Sequence, residues 1–256
     1  MDRQHRLFSP SRHLLAESAE WIAIDKPPFL QVHPKKPGGP PTLWDELRGL
    51  LAYELALGGQ VSIINRLDRE TSGVVLVAKT AEAARLFHEA MKRRAFSKEY
   101  LAVVWEWPER DEFTVDAPIL RKGEREPSPI YLKRCVHPEG AEARTRFAVE
   151  RRFEKTTSAG GRFALVRAFP LTGRTHQIRV HLAHAGHPIV GDKIYGPSER
   201  CYLDFIETGW TPELASRLLL PRHALHSERL RVEMEEGSLD WRAPLPPDLL
   251  EFLGCG

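Results

Sequence analysis

Apolar positions along the chain change period several times, and each change marks an element. Residues 20–25, 61–64 and 74–78 are short runs rich in Val, Ile and Leu, the pattern of buried strands. Lys26-Pro27-Pro28 stops the first. Residues 35–41 follow as a loop, and Thr42 then opens a helix with Asp45 as its capping partner. Leu43, Leu47, Leu50, Leu51 and Leu55 share one face of it, and Gly58-Gly59 ends it. Past residue 78 a second helix has Thr80 as N-cap, Glu82 in the first turn, and a stripe of Ala83, Leu86, Phe87, Ala90 and Met91. Lys92, Arg93 and Arg94 suit its C-terminal dipole end. Strands are predicted at 99–105, 130–134, 144–150 and 163–169, with the Pro-, Gly- and charge-rich residues 106–140 as a pair of projecting hairpins. A third helix has Thr175 as cap and Ile178, Leu182 and Ala185 on one face, and it ends at Gly186 and Pro188. The sum is an α+β fold with a mixed, mostly antiparallel central sheet, helices covering one side. Residues 1–18 form an irregular lead-in, and 19–256 form a single domain.

Composition narrows the class without naming a function. Of 256 residues, 42% are hydrophobic and 28% charged, ordinary for a globular protein. No apolar run reaches membrane-spanning length, and the first six residues lack the apolar core of a secretion signal. Cys135, Cys201 and Cys255 are odd in number and far apart, which argues for free thiols in a reducing cytoplasm and against a thiolate zinc site. The net charge of +2 is too small to demand a nucleic-acid partner. The cations are unevenly spread: Lys92, Arg93, Arg94 and Lys98, then Lys133, Arg134, Arg144, Arg146, Arg151, Arg152 and Arg167. Compensating acids lie at 106–112 and 233–236. Such a chain can sort a basic face from an acidic back, or simply solvate charge on alternating strand faces.

The segment Asn65-Arg66-Leu67-Asp68-Arg69-Glu70-Thr71-Ser72-Gly73 carries the most chemistry. It sets one carboxylate between two arginines on a turn between two core strands, and Thr71, Ser72 and Gly73 supply turn chemistry. The same residues also suit a surface ion-pair cluster in which Asp68 caps backbone N–H groups. Tyr100 stands at the mouth of a strand, as a cross-strand aromatic or as a platform for a base. Arg179 adjoins the buried face of the third helix. His176, His181, His184 and His187 lie in the same region, but they lack the spacing of four with an intervening Glu that marks a zinc helix, so no metal is expected. There is no Gly-rich phosphate loop, so no cofactor is expected either.

The nonapeptide resembles the His-Arg-Leu-Asp-x-x-Thr-Ser-Gly motif of the RluA family of RNA pseudouridine synthases, with Asn65 where that family usually has His. Further blocks resemble it in the same order. They are the Lys26-Pro27 to Val32-His33-Pro34 lead-in, Lys98 to Val103, Leu171 to Leu182 with its His176-Gln177-Ile178-Arg179, Gly186 to Gly196, and the tail from Leu225-His226-Ser227 to Leu249. The resemblance implies the synthase fold and a cofactor-free isomerisation of uridine. Asp68 would be the catalytic residue, Tyr100 would lie against the target uracil, and Arg179 would pair with Asp68. Arg66 would fill the gap left by an everted uridine, Ile178 would wall the pocket, and Leu225 would bind substrate. Lys98, Arg174 and Arg94 are phosphate-contact candidates. An acid at Asp68 can attack the ribose or the uracil ring, or remove a ribose proton. About 20 residues precede the first block, so no N-terminal RNA-binding domain is expected. Recognition of ribosomal or transfer RNA then falls to the catalytic domain and to inserts at 106–140 and 197–222, the second holding Trp210, Arg217 and Arg222. No membrane and no obligate protein partner is implied. A silent RNA-binding module on the same fold, and a glycoside or nucleoside hydrolase, are the competing readings. The first would be expected to lose Asp68, Tyr100 or Arg179, and the second commonly needs another carboxylate.

Overall fold

The computed structural model describes residues 9–34, 38–235 and 237–255. The first eight residues, and 35–37 of the expected loop, lie outside that set. In chain order the elements are β1 (Leu14–Glu17), β2 (Trp21–Lys26), α1 (Leu43–Leu50), α2 (Ala52–Ala56), β3 (Ser62–Ile63), β4 (Ser72–Ala78), α3 (Ala81–Lys92) and β5 (Phe96–Trp105). Next come β6 (Glu112–Asp116), β7 (Ile119–Arg121), β8 (Arg134–Val136), β9 (Arg144–Thr157), β10 (Gly160–Pro170) and α4 (Gln177–His184). The chain ends with α5 (Arg200–Thr208), α6 (Pro212–Leu218), β11 (Leu225–Met234), β12 (Gly237–Arg242) and α7 (Pro247–Leu253). These elements fall into two compact units, Met1–Lys98 with His226–Gly256, and Glu99–Leu225.

The first unit is organised by β4, all seven of whose residues are buried. It pairs antiparallel with β2 from Trp21↔Ala78 to Lys26↔Gly73, and parallel with β11 at His226↔Ser72 and Ser227↔Gly73. β1 extends β2, β3 adds to β4, and β12 folds back on β11. The one parallel pairing makes this sheet mixed. On one face Val75 and Val77 pack with Ile22, Ile24, Leu43, Leu47 and Leu51. On the other, Val74, Leu76 and Ala78 pack with Ala23, Phe87, Ala90, Leu230 and Trp241. Helices therefore cover both faces of this sheet, not one side. A strand buried on both faces has no polar alternation, which is why residues 74–78 form an unbroken apolar run.

The capping expectations at Thr42 and Thr80 hold. Thr42 and Asp45 form a reciprocal capping box, and the Thr80 hydroxyl accepts from the Ala83 N–H at 3.1 Å. The five-leucine face does not run through. The chain turns at Leu51 between α1 and α2, leaving Leu50 40% exposed while Leu51 is buried. On α3, Ala84 joins the buried stripe and Leu86 faces out. Residues 14–17 of the expected lead-in are an edge strand, because Glu17 and Leu14 find backbone partners on β2.

In the second unit β5, β10, β9 and β6 are antiparallel neighbours. β9 and β10 run well beyond the expected 144–150 and 163–169. Their outer pairs, such as Arg162↔Glu154 and Gly160↔Thr157, hydrogen-bond without an apolar pattern to announce them. Residues 130–134 are not a strand: Ile130 is a buried anchor on a turn, and β8 begins only at Arg134. Of residues 106–140, β6 joins the main sheet through β9, and only β7 and β8 form a separate two-stranded ribbon. Thr175 does not cap α4. His176 does, in a left-handed conformation (φ 59°) and without a side-chain cap bond. The acids of 106–112 do not form a separate back. Arg146 lies 3.8 Å from Glu112 and Arg152 2.7 Å from Asp111, interleaved with the cations. Among the described residues no helix is long and apolar enough to cross a membrane, and all three cysteines are free thiols.

Thr42→Ala removes one half of the capping box, and urea unfolding is expected to show a loss of about 1 kcal/mol. Thr42→Ser, which keeps the hydroxyl, is expected to fall within a few tenths of the parent.

Candidate active site

In the first unit the Asp68 turn is built from β3 to β4 by side chains that substitute for missing backbone pairs. β3 ends at Ile63, yet the ladder continues. The Asn65 Nδ2 donates to the Val74 carbonyl at 2.9 Å, and its Oδ1 accepts from the Leu76 N–H at 2.8 Å. A buried amide has both a donor and an acceptor to offer, so this residue pairs with β4 as a strand would. The departure from the family pattern is thus structurally accounted for. Beyond Asp68, the Thr71 N–H returns to the Asp68 carbonyl at 3.1 Å. The buried Lys26 ammonium donates to the carbonyls of Pro27 (2.7 Å), Leu30 (3.0 Å) and Arg69 (3.3 Å). Arg69 Nε donates in turn to the Phe29 carbonyl at 3.2 Å. The lead-in block and the Asp68 turn are thereby one hydrogen-bonded construction. Arg66 is exposed and Asp68 half-buried. Burial, and then the charge of Arg66, push the His33 pKa down.

Behind the turn, Gly73 (φ 112°) meets β11. A Cβ there would lie 2.1 Å from the Ser227 carbonyl oxygen, so only glycine permits the parallel pairing. His226 Nε2 lies 3.1 Å from the Ala243 carbonyl, which can only accept, so the proton sits on Nε2. His226 Nδ1 then accepts from the Ser72 hydroxyl at 2.9 Å in the neutral ring. Lys98 is half-buried, with Nζ 3.7 Å from the Met91 sulfur, and burial lowers its pKa. Burial raises the Asp25 carboxyl to about 6, opposed by the charge of Lys26.

In the second unit α4 is fixed at its first residue. Gln177 Oε1 accepts from the Thr172 hydroxyl (2.7 Å) and the Arg174 N–H (2.9 Å). Its Nε2 donates to the Arg144 carbonyl (3.0 Å) and to Thr145 Oγ1 (2.9 Å). One turn on, His181 Nε2 donates to the Ala117 carbonyl and Nδ1 accepts from the Thr145 hydroxyl, both at 2.9 Å. Burial keeps that ring's pKa low. This network presents Arg179, which is buried with its neighbour Ile178.

Arg179 makes a two-point fork with Asp192, Nε to Oδ2 at 2.7 Å and Nη2 to Oδ1 at 2.9 Å. Asp192 is fully buried, and Oδ1 also accepts the N–H groups of Ile194 (2.9 Å) and Tyr195 (3.0 Å). Burial alone would raise its pKa. The charge and hydrogen bonds of Arg179, with the charge of His223 and the Tyr195 N–H, overcome that and hold the carboxyl well below its ordinary range. The Arg179 guanidinium also lies 5.0 Å from the Tyr195 ring. The Tyr195 hydroxyl accepts from the Arg134 N–H at 2.9 Å and pairs with His176 Nδ1 at 2.8 Å. Gly191 (φ 78°) is required ahead of Asp192, since a Cβ would sit 1.9 Å from the Arg222 carbonyl oxygen.

The structure thus sets Arg66 and Asp68 in one turn, and Ile178 and Arg179 in one helix. Tyr100 is buried opposite Ala168 on β10, and Leu225 is buried at the start of β11. Arg174 is exposed, with Nε on the Glu142 carbonyl. Arg94 is exposed beyond the end of α3. Arg222, expected within an RNA-reading insert, is fully buried, with Nη1 within 3.4 Å of the His223 and Leu225 carbonyls, so it is unavailable to RNA. Arg217 lies 3.6 Å from Asp204, and Trp210 is 38% exposed. Among the described residues no three His, Cys, Asp or Glu side chains converge as a metal site. Asp192, Gln177 and Lys26 were not assigned roles from the sequence, although each lies in a block that resembles the family. The signal for Asp192 was a lone acid after Ile189-Val190-Gly191.

A sequence model described as RNA pseudouridylate synthase matches residues 20–184. Ribosomal large subunit pseudouridine synthase D of Nitrosomonas europaea is 35% identical over 98% of this chain and 67% of its own length. Ribosomal large subunit pseudouridine synthase C of Yersinia pestis is 39% identical over 73% of this chain and 53% of its own length. The chain therefore spans from about half to about two thirds of these relatives. Among solved structures, human RNA pseudouridylate synthase domain containing 1 matches with TM-score 0.69 and 25% identity, over 94% of this chain and 86% of that one. Human RNA pseudouridylate synthase domain containing 4 shares the fold, with TM-score 0.72 and 24% identity, over 96% of this chain and 93% of that one.

Asp192→Asn leaves a buried guanidinium without its counter-charge, and denaturant unfolding is expected to show a loss of about 3–5 kcal/mol. Joint replacement of Asp192 by Asn and Arg179 by Met, which removes the unpaired charge and keeps an acceptor for the Ile194 and Tyr195 N–H groups, is expected to regain part of it. Because the folded pKa of Asp192 is depressed, its contribution is complete above the ordinary carboxylate range near 4 and is lost only as the pH falls below it. Asp25 has the opposite sign. Its raised pKa makes the charged form a cost that appears as the pH climbs from about 4 to about 6. Asp25→Asn is therefore expected to stabilise the protein by about 1–2 kcal/mol near pH 7.5, allowing for partial exposure, and to have no effect near pH 4.

Proposed function

Because the chain belongs to the RNA pseudouridylate synthase family, we propose that it converts uridine to pseudouridine in ribosomal RNA, with the carboxylate of Asp68 as the catalytic group. The observation that carries this is the way the Asp68 turn is held. Its carboxylate is half-buried, and the residues around it are tied down by Asn65, Lys26, Arg69 and Thr71. A catalytic acid needs that fixity, whereas a surface ion-pair cluster does not. The names of the relatives favour ribosomal over transfer RNA.

The reaction breaks the bond from ribose to uracil nitrogen and makes one to uracil carbon, with no net transfer of electrons or phosphate. Asp68 begins it, by attack on the ribose or the uracil ring or by removal of a ribose proton. Before that the uridine must leave its stack, which costs a few kcal/mol. Tyr100 receives the base on its ring face, and Arg66 takes the vacated place in the RNA. Ile178 and Leu225 supply apolar lining, and Lys98, Arg174 and Arg94 meet phosphates. Arg179 keeps Asp68 ionised and oriented. A guanidinium carries five N–H donors, so its fork to Asp192 is compatible with a second carboxylate partner. Residues 19–256 act together as one catalytic domain.

The test is carbodiimide-dependent primer stops on ribosomal RNA treated with the purified protein. Wild type is expected to create stops at defined uridines, and Asp68→Asn to create none while still binding the RNA. Tyr100→Leu is expected to lower kcat by one to two orders of magnitude (~1–3 kcal/mol of lost stacking) with little change in affinity. Stops that persist in Asp68→Asn would overturn the assignment, and release of free uracil during turnover would favour the hydrolase reading.

A further inference from the structure

The ribbon of β7 and β8 carries a twelve-residue loop, 122–133, that none of the assigned roles uses. It returns to β8 through a turn closed by the Lys133 N–H on the Ile130 carbonyl at 3.0 Å. Two adjacent residues on that turn go opposite ways. Ile130 is buried to 1% exposure in a cluster with Val180 of α4, Ile194 and Tyr195. Tyr131 is 75% exposed, beside Leu132 at 37%. The guanidinium of Arg121, on β7, lies 4.6 Å over the Tyr131 ring. The base of the loop is pinned where β8 begins, by Lys133 on Glu199 at 2.6 Å and the Arg134 N–H on the Tyr195 hydroxyl. An exposed aromatic is thus mounted rigidly on the same unit, and against the same helix and tyrosine, as Arg179.

A surface turn gains nothing from a large exposed ring, and small polar residues serve there better. What a ring backed by a guanidinium on one side does offer is a ready face of low ordering cost for a second flat partner. Four of the five cations between residues 119 and 141 are engaged by acids, Arg121 with Glu124, Lys122 with Glu126, Arg125 with Glu139 and Lys133 with Glu199, so the ring face and not net charge is what the loop offers a flat partner. We propose that Tyr131 and Arg121 form a stacking platform for an unpaired base of the substrate RNA, at a nucleotide other than the uridine that is converted, and that the platform helps choose the RNA. The platform rests on the reading of the chain as an RNA pseudouridine synthase. Arg121, paired through Nε with Glu124 at 3.2 Å, contributes by holding the Tyr131 ring in place.

The experiment uses the full chain and a short transcript spanning a uridine that wild type modifies in ribosomal RNA. Tyr131→Ala is expected to raise KM about 5- to 150-fold with kcat unchanged, the range that loss of one base stack produces. Tyr131→Trp is expected to keep the wild-type KM, and Arg121→Ala to raise it by a smaller factor. Tyr131 is exposed, so these variants test the surface without disturbing the core. An unchanged KM for Tyr131→Ala, with wild type active, overturns the platform and leaves the enzymatic reading standing. An unchanged KM on naked RNA combined with lost turnover on intact ribosomal subunits assigns the patch to a protein and also overturns it. If wild type makes no pseudouridine in any ribosomal RNA, the enzymatic reading fails. The platform is then judged by fluorescence anisotropy on single-stranded RNA, where equal affinity of wild type and Tyr131→Ala overturns it.

Discussion

The buried pair of Arg179 and Asp192 is the constraint around which the second unit is arranged. A carboxylate with no exposed surface is tolerable only if it is densely hydrogen-bonded, and here two backbone N–H groups and a guanidinium fork supply four donors. Satisfying Asp192 fixes the backbone of residues 191–196, and that fixes Tyr195, whose ring faces the guanidinium and whose hydroxyl holds the start of β8. The guanidinium is held on one edge, so the direction of its remaining N–H bonds is set by the fold rather than by rotamer choice.

The first unit solves a comparable problem with a cation. Lys26 has no exposed surface, and its ammonium collects carbonyls from the lead-in and from the Asp68 turn. A buried ammonium among peptide carbonyls is a poor place for a flexible loop, since each displaced carbonyl leaves part of the charge unmet. Asn65 adds ladder bonds where β3 has already ended, and Gly73 lets β11 lie close enough to close the far side. The turn is therefore surrounded by positions that tolerate little substitution, while Arg66 on it is exposed and Arg69, also exposed, reaches back to the Phe29 carbonyl. That rigid support is the feature on which the proposed role of Asp68 rests.

Much of the scaffold was legible from local rules. The caps at Thr42 and Thr80, the strand at 74–78 and the α+β class follow from short-range chemistry that the fold had no reason to override. Where the pattern misled, a longer-range partner decided. Leu14–Glu17 carries no strong strand signal and becomes a strand because β2 offers an open edge. Ile130 belongs to an apolar stretch and yet anchors a turn, because Val180 and Tyr195 enclose it. Thr175 has the chemistry of a cap, but Gln177 already ties α4 down from inside its first turn, so the cap position falls on His176.

What the sequence determined by itself was family and fold class, because motifs record local geometry and residue type together. What only the tertiary structure decided was which charges face one another. Asp192 stands thirteen residues from Arg179, and Lys26 meets the Asp68 turn across forty-three. Neither pairing has a period or spacing from which it could be read. An ion pair is chosen by the distance and dielectric of the folded interior, and those exist only after the chain has closed around it.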